Sequence, residues 1–284
     1  MISDELRKKL EEMNRGPLGA QKPPGGRAAP AKAERARIED VVKGRVIGDP
    51  ERPCFLVERA LEELFGRERA GAFEREFADV WAKGRYVLSG ADRERDWPAI
   101  VEAPPTRLLF LDIETLGLAS TPVFLVGVMQ FDPDNRFRLR QFFARDYAEE
   151  RHVLAHVAEV LPSFARLVTF NGKSFDWPYL RDRAVYHAVR LAGEPANLDL
   201  LHESRRRWKT ILPNCQLQTL EYHISRRRRT GDIPGNLIPE AYHRYVRTGQ
   251  ARAMADVIHH NALDLITMAE LMLFMLQGGE LAWE

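Results

Sequence analysis

The chain has 284 residues, 45% of them hydrophobic and 29% charged, enough for one ordinary buried domain plus an appendage. With 42 Lys and Arg against 41 Asp and Glu, no overall field marks it for nucleic acid or a membrane, so any basic surface has to be local. Residues 1–15 are charged and weakly helical, and "RGPLGAQKPPGGRAAPAKAERAR" (15–37) is rich in Pro, Gly and Ala with little to bury, so residues 1–40 read as a disordered tail. Residues 41–105 read as a small accessory α+β region. It holds a short strand pair, "GRVIG" and "PCFLVER", and an amphipathic helix in which Leu61, Leu64, Phe65, Phe73, Phe77, Val80 and Trp81 recur at helical spacing. "EAPPTR" (102–107) then marks a boundary.

Residues 106–284 alternate between strand and helix. "RLLFLDIE" (107–114), "VFLVGVMQF" (123–131) and "FRLRQFFA" (137–144) are strand-like, and the turn sequence "DPDN" (132–135) makes the last two an antiparallel hairpin. A helix over 148–165, a strand over 166–172, a helix over 175–189 with Pro178 in its first turn and a fifth strand over 196–201 follow. The closing segment, 251–276, has a long helical pattern. The expected architecture is α/β: a mixed five-stranded sheet flanked by helices, preceded by the small N-terminal extension. Cys54 and Cys215 lack partners at metal-finger spacing, and neither an apolar leader nor a stretch of about 18 apolar residues is present. A reducing cytoplasm fits best, with no membrane partner; the oligomeric state stays open.

Within "FLDIET" (110–115), Asp112 and Glu114 take alternate positions on a strand and so share a face. Two carboxylates that close raise each other's pKa unless a cation or a shared proton offsets the repulsion. Asp176, where a strand hands over to a helix, and Asp264, in the last helix, add two more acids that can reach the same end of the sheet. Four carboxylates from three segments suit Mg²⁺ or Mn²⁺, and two such ions can activate water and stabilise a leaving oxygen in phosphodiester hydrolysis.

The blocks "LFLDIETLGL", "FLVGV", "VTFNGKSFDWPYL", "DLLHESRRRWK" and "HHNALDLITMAEL" resemble, in order, those of the DEDD exonucleases of the ribonuclease H-like superfamily, and within them the bacterial YprB-like group. The resemblance runs from about Leu108 to about Leu276. It implies a ribonuclease H-like fold, a two-metal site and metal-dependent 3′-to-5′ exonuclease activity on nucleic acid, DNA ahead of RNA, at single strands or 3′ ends. It also implies that Asp112, Glu114 and Asp264 hold one ion, while Asp112 and Asp176 hold the second. Two competing readings are a nucleic-acid-binding module without catalysis and a ribonuclease H-like endonuclease.

In that family the general base is a histidine five residues before the last aspartate or a tyrosine four before it. Here His259 and His260 fill both slots. On one continuous helix His260 lies about 40° from Asp264 and His259 about 140° from it, which favours His260 as the base. His259 is the alternative if the helix begins only after it. Asn171 and Lys173 are candidates for a phosphate or terminal nucleotide. Arg205, Arg206, Arg226 and Arg227 are candidates for backbone contacts, and Trp208 for base stacking. Asp199 is left outside the site as a helix cap. "DIPGNLIPEAY" (232–242) reads as a turn-rich loop before a helix, with no assigned task.

Overall fold

The computed structural model describes residues 36–84, 86–88, 96–193 and 195–281, which belong to one compact unit. Residues 1–35, most of the expected tail, lie outside the described residues. By Ala36 the chain is engaged, its carbonyl accepting from Ala251 N at 3.0 Å, and Ile38 and Val42 are buried.

Seven strands form one sheet in the order β1-β2-β5-β4-β3-β6-β7. Its members are β1 (Arg45–Ile47), β2 (Cys54–Ala60), β3 (Leu108–Thr115), β4 (Val123–Phe131), β5 (Phe137–Phe143), β6 (Arg166–Thr169) and β7 (Ala196–Asp199). The five strands expected beyond the "EAPPTR" boundary form its greater part. The N-terminal pair joins the same sheet, with β2 lying antiparallel to β5 from Phe55 opposite Phe143 to Ala60 opposite Arg138. The β4–β5 turn closes as "DPDN" predicts: Asp132 N donates to Arg136 O, and Asn135 takes a left-handed φ of 59°. On the other side β3, β6 and β7 run parallel, so the carboxyl ends of β3 and β6 open at the same edge, where ligands bind in open α/β sheets.

Among the described residues, the helices of eight residues or more are α1 (Arg67–Ala82), α2 (Glu150–Val160), α3 (Asp176–Tyr186), α4 (Leu200–Trp208), α5 (Leu217–Ser225), α6 (Ile238–Thr248) and α7 (Arg252–Leu276). The amphipathic stretch expected as a single helix breaks at Gly66, whose φ of 79° suits glycine, and α1 starts after it. Phe73 and Phe77 of α1 then pack on Phe131 and Phe137 of the β4–β5 hairpin, with ring centroids 4.8–5.4 Å apart. The closing helix α7 is continuous through both histidines. Met254, Ile258, Asn261, Leu265, Met268 and Met272, which share one face of that helix, are all fully buried. α7 packs along β3 and β4, while α2 and α3 lie against the sheet as well. No helix among the described residues is long and apolar enough to cross a membrane.

Candidate active site

Strand β3 outruns its parallel neighbour. β6 pairs with β3 only from Leu108 to Phe110 and ends at Thr169, so the last residues of β3 project beyond it. There the backbone N–H of Ile113 donates to Asp176 Oδ1 at 3.2 Å. Asp176 is the first residue of α3 and only 4% exposed. The loop between β6 and α3 is pinned by Asp199, whose Oδ1 accepts from Asn171 N at 2.9 Å and whose Oδ2 accepts from Lys173 N at 3.1 Å. Asp199 also caps α4 by accepting from Leu201 N, so it serves the site by shaping the approach to Asp176.

Asp112 and Glu114 lie on β3, the strand along which α7 packs. Asp112 Oδ2 accepts from Asn261 Nδ2 at 2.7 Å, and Asn261 Oδ1 in turn accepts from Gln141 Nε2 at 2.8 Å. Gly127 makes this possible. It stands between Asp112 and Gln141 in the strand register, and a Cβ there would sit 2.0 Å from Asn261 Oδ1. A glycine inside a buried strand is here the seat for a side chain arriving from the helix.

Asp264 completes the acidic set from α7. Its Oδ1 receives Arg229 Nη2 at 2.6 Å, and Arg229 Nε reaches Glu221 Oε2, also at 2.6 Å. One turn earlier His260 puts Nε2 3.5 Å from Asp264 Oδ2 and Nδ1 2.8 Å from Asp232 Oδ2. His259, next along the same helix, is exposed, and burial followed by the charge of Arg59 lowers its pKa. The helical phase read from the sequence therefore holds: His260 faces the acids and His259 turns away.

The electrostatics of the four carboxylates agree in direction. Burial, then the charges of Asp264, Glu114 and Asp176, push Asp112 well above the carboxylate range, with the Asn261 bond working the other way. Glu114 is raised by burial and then by Asp264 and Asp176. Asp264 is also raised, chiefly by burial, against the pull of Arg229 and His260. Burial raises Asp176 to about 7. For Arg229 burial opposes the charge, yet Asp264 and Glu221 hold the guanidinium above the ordinary arginine range. Four carboxylates whose mutual repulsion Arg229 and Asn261 offset only in part fit a hard divalent cation in charge and chemistry. Among the described residues, no three His, Cys, Asp or Glu side chains stand as a ready-made metal group; instead Asp264 holds Arg229 and Asp112 holds Asn261.

Several expected contacts are corrected by the structure. Trp208 does not offer a stacking face: it is 4% exposed and packs on Phe274, with centroids 5.9 Å apart. Arg227 does not follow a phosphate backbone; it turns inward to Glu221 and Glu270, with its Nη2 2.8 Å from Glu270 Oε2 and 2.9 Å from Thr267 Oγ1. Arg226 and Arg228 are exposed beside the Tyr222 ring. Arg206 pairs with Glu203, while Arg205 is exposed. Asn171, with φ 67°, and Lys173 engage Asp199 through their backbones, and Lys173 Nζ pairs with Asp96 at 2.6 Å. Arg229, part of the run expected to track phosphates, instead pairs with Asp264 and Glu221, and sequence reasoning missed Asp232, Glu221, Asn261 and Gln141 as site residues. Of these only Asn261, inside the "HHNALD" block, carried a signal.

The sheet order and the acids at the carboxyl ends of parallel strands define the class, an RNase H-like α/β fold. The family model described as RNase_H superfamily matches residues 109–276, and the chain belongs to that family. It is 32% identical over 173 residues to the uncharacterized protein YprB of Bacillus subtilis (strain 168). That stretch covers 59% of this chain and 41% of the relative, so the chain spans less than half of that protein's length. Among solved structures, the family B DNA polymerase of the hyperthermophilic archaeon Pyrobaculum calidifontis aligns with a TM-score of 0.46 at 21% identity, covering 59% of this chain and 24% of that one.

Proposed function

We propose that this chain is a divalent-metal-dependent exonuclease of the DEDD type, removing nucleotides in the 3′-to-5′ direction, from DNA ahead of RNA. The observation that carries this is that Asp112, Glu114, Asp176 and Asp264, from three elements, lie near enough to raise one another's pKa, with the buried His260 3.5 Å from Asp264. Membership of the RNase H superfamily supports it. Asp112, Glu114 and Asp264 would hold one ion, and Asp112 with Asp176 the other. Bound Mg²⁺ or Mn²⁺ would lower the pKa of the attacking water and stabilise the 3′ leaving oxygen. The chain's own part is to bring the terminal phosphodiester to this edge and to take the water's proton at His260 Nε2.

Arg229, seated on Asp264, favours one second reading: a module that binds nucleic acid without cutting it. One assay separates the two. DNA and RNA oligonucleotides labelled at the 5′ or the 3′ end are incubated with and without Mn²⁺. Metal-dependent release of mononucleotides from the 3′ end is expected. Internal fragments would make the chain an endonuclease, and binding without products would make it a silent module. His260→Ala should lower the rate by on the order of a hundredfold or more while His259→Ala costs little; the reverse pattern would move the base to His259.

A further inference from the structure

The loop "GDIPGN" (231–236) had no task in the sequence, yet it delivers one side chain to the acidic centre. Asp232 is a buried carboxylate, with 8% of its side chain exposed. Its Oδ2 lies 2.8 Å from His260 Nδ1 and 3.4 Å from Arg229 Nη1, and its Oδ1 is buried with no hydrogen-bond partner. The shorter contact is to the imidazole, and Arg229 has closer partners in Asp264 and Glu221, each at 2.6 Å. Asp232 therefore does more for His260 than for the arginine.

An ionised carboxylate can only accept, so the imidazole nitrogen facing Asp232 carries the proton. In a neutral ring the other nitrogen is then a bare acceptor. That nitrogen, Nε2, faces Asp264 Oδ2 across 3.5 Å. Its lone pair is thus turned toward the carboxylates, where it can accept a proton from a water molecule. We propose that Asp232 is the positioning residue for His260: it fixes the Nδ1–H tautomer and the plane of the ring, so that the Nε2 lone pair points at the water that attacks the substrate. This deepens the hydrolytic function proposed above and rests on it for the identity of that water. A base held by a third group in this way is a recurring feature of hydrolytic sites.

The test compares wild type with Asp232→Asn, which preserves size but can present an N–H to Nδ1. Nitrogen-15 NMR of the imidazoles, on metal-free protein near pH 8.5 where an ordinary histidine is neutral, should find the His260 proton on Nδ1 in wild type. In Asp232→Asn it should move to Nε2. Turnover should fall on the order of 10–100-fold, with KM and Mn²⁺ affinity unchanged. In a His260→Ala background Asp232→Asn should cost nothing more, because Asp232 acts through that ring. An unchanged tautomer in Asp232→Asn, or losses that multiply in the double variant, would overturn the proposal and leave Asp232 as a partner of Arg229. If wild type cleaves no nucleic acid, the proposed function fails, but the NMR comparison still decides what Asp232 does to His260. Should Asp232→Asn not fold, Asp232→Glu, again an acceptor only, must retain the Nδ1–H tautomer; loss of that tautomer would overturn the assignment.

Discussion

Replacing Arg229 by Met removes the cation that both Asp264 and Glu221 contact at 2.6 Å, from a side chain only 4% exposed. Deleting one partner of a buried, hydrogen-bonded ion pair costs about 3–5 kcal/mol, because the other partner is left charged without compensation. Here the cost is divided unevenly. Glu221 keeps Arg227, so the greater loss falls on Asp264, which retains only the more distant His260 contact at 3.5 Å. For a unit of this size each kcal/mol is worth roughly 2–4 °C, so the metal-free variant should melt about 6–20 °C lower at pH 8. Asp264 already has a raised pKa that Arg229 moderates. Without the arginine it can take up a proton more readily, so the penalty should shrink as the pH is lowered. Mn²⁺ should raise the melting temperature of the variant more than that of wild type, since an ion on Asp264 no longer displaces a guanidinium. Thermal unfolding followed by circular dichroism, at pH 6 and 8 with and without Mn²⁺, reads all three effects. A loss below about 1 kcal/mol, or an equal response to Mn²⁺ in both proteins, would refute the view of Arg229 as a cation stationed on the acidic centre.

Three further outcomes follow from the same geometry. The raised folded-state pKa values of Asp112, Glu114, Asp176 and Asp264 mean that the stability they contribute is fully present below the ordinary carboxylate range. It is lost as pH rises through the folded values, up to about 7 for Asp176. Urea midpoints of metal-free protein should therefore decline toward pH 8, and saturating Mn²⁺ should flatten the decline; a metal-free profile that rises over that window contradicts the assignment. Gly127→Ala puts a methyl 2.0 Å from Asn261 Oδ1 and should destabilise by about 1–3 kcal/mol, read as a lower urea midpoint; an unchanged midpoint would show that Asn261 is not seated there. Neutralising Arg226 and Arg228 together should flatten the salt dependence of single-strand binding by about 0.7 per lost contact. An unchanged slope returns both to the solvated surface.

The elements were legible wherever a local pattern specifies them. β3, β4 and β5 lie within a residue of their expected bounds because runs such as "VFLVGVMQF" are apolar and "DPDN" turns. Pro178 in the first turn marked the start of α3 to within a residue. Strand alternation put Asp112 and Glu114 on one face and helix phase put Asp264 at the edge of the buried stripe, whereas the grouping of all four acids, Asp176 included, came from the family resemblance. The arginine run at 226–229 was not legible. As sequence it resembles a solvated or phosphate-tracking stretch, and only long-range packing brings Glu221, Glu270 and Asp264 within reach of Arg227 and Arg229. Trp208 was misjudged for the same reason: its neighbours Arg205–Arg207 are polar, but α4 turns the indole toward α7. The Gly127–Asn261–Gln141 seat brings the closing helix onto the β4–β5 hairpin more than a hundred residues away, a pairing that no local pattern around Gly127 or Gln141 encodes.

The central claim is that the four carboxylates form a divalent-metal site, and titration with Mn²⁺ followed by electron paramagnetic resonance tests it most directly. Wild type should take up two ions per chain, and because the acids it uses have raised pKa values, binding near pH 7 should release protons to the buffer. Asp112→Asn, which removes the carboxylate shared by both ions, should abolish that uptake while leaving the metal-free fold as stable as wild type or slightly more so. Equal uptake of Mn²⁺ by wild type and Asp112→Asn would contradict the account.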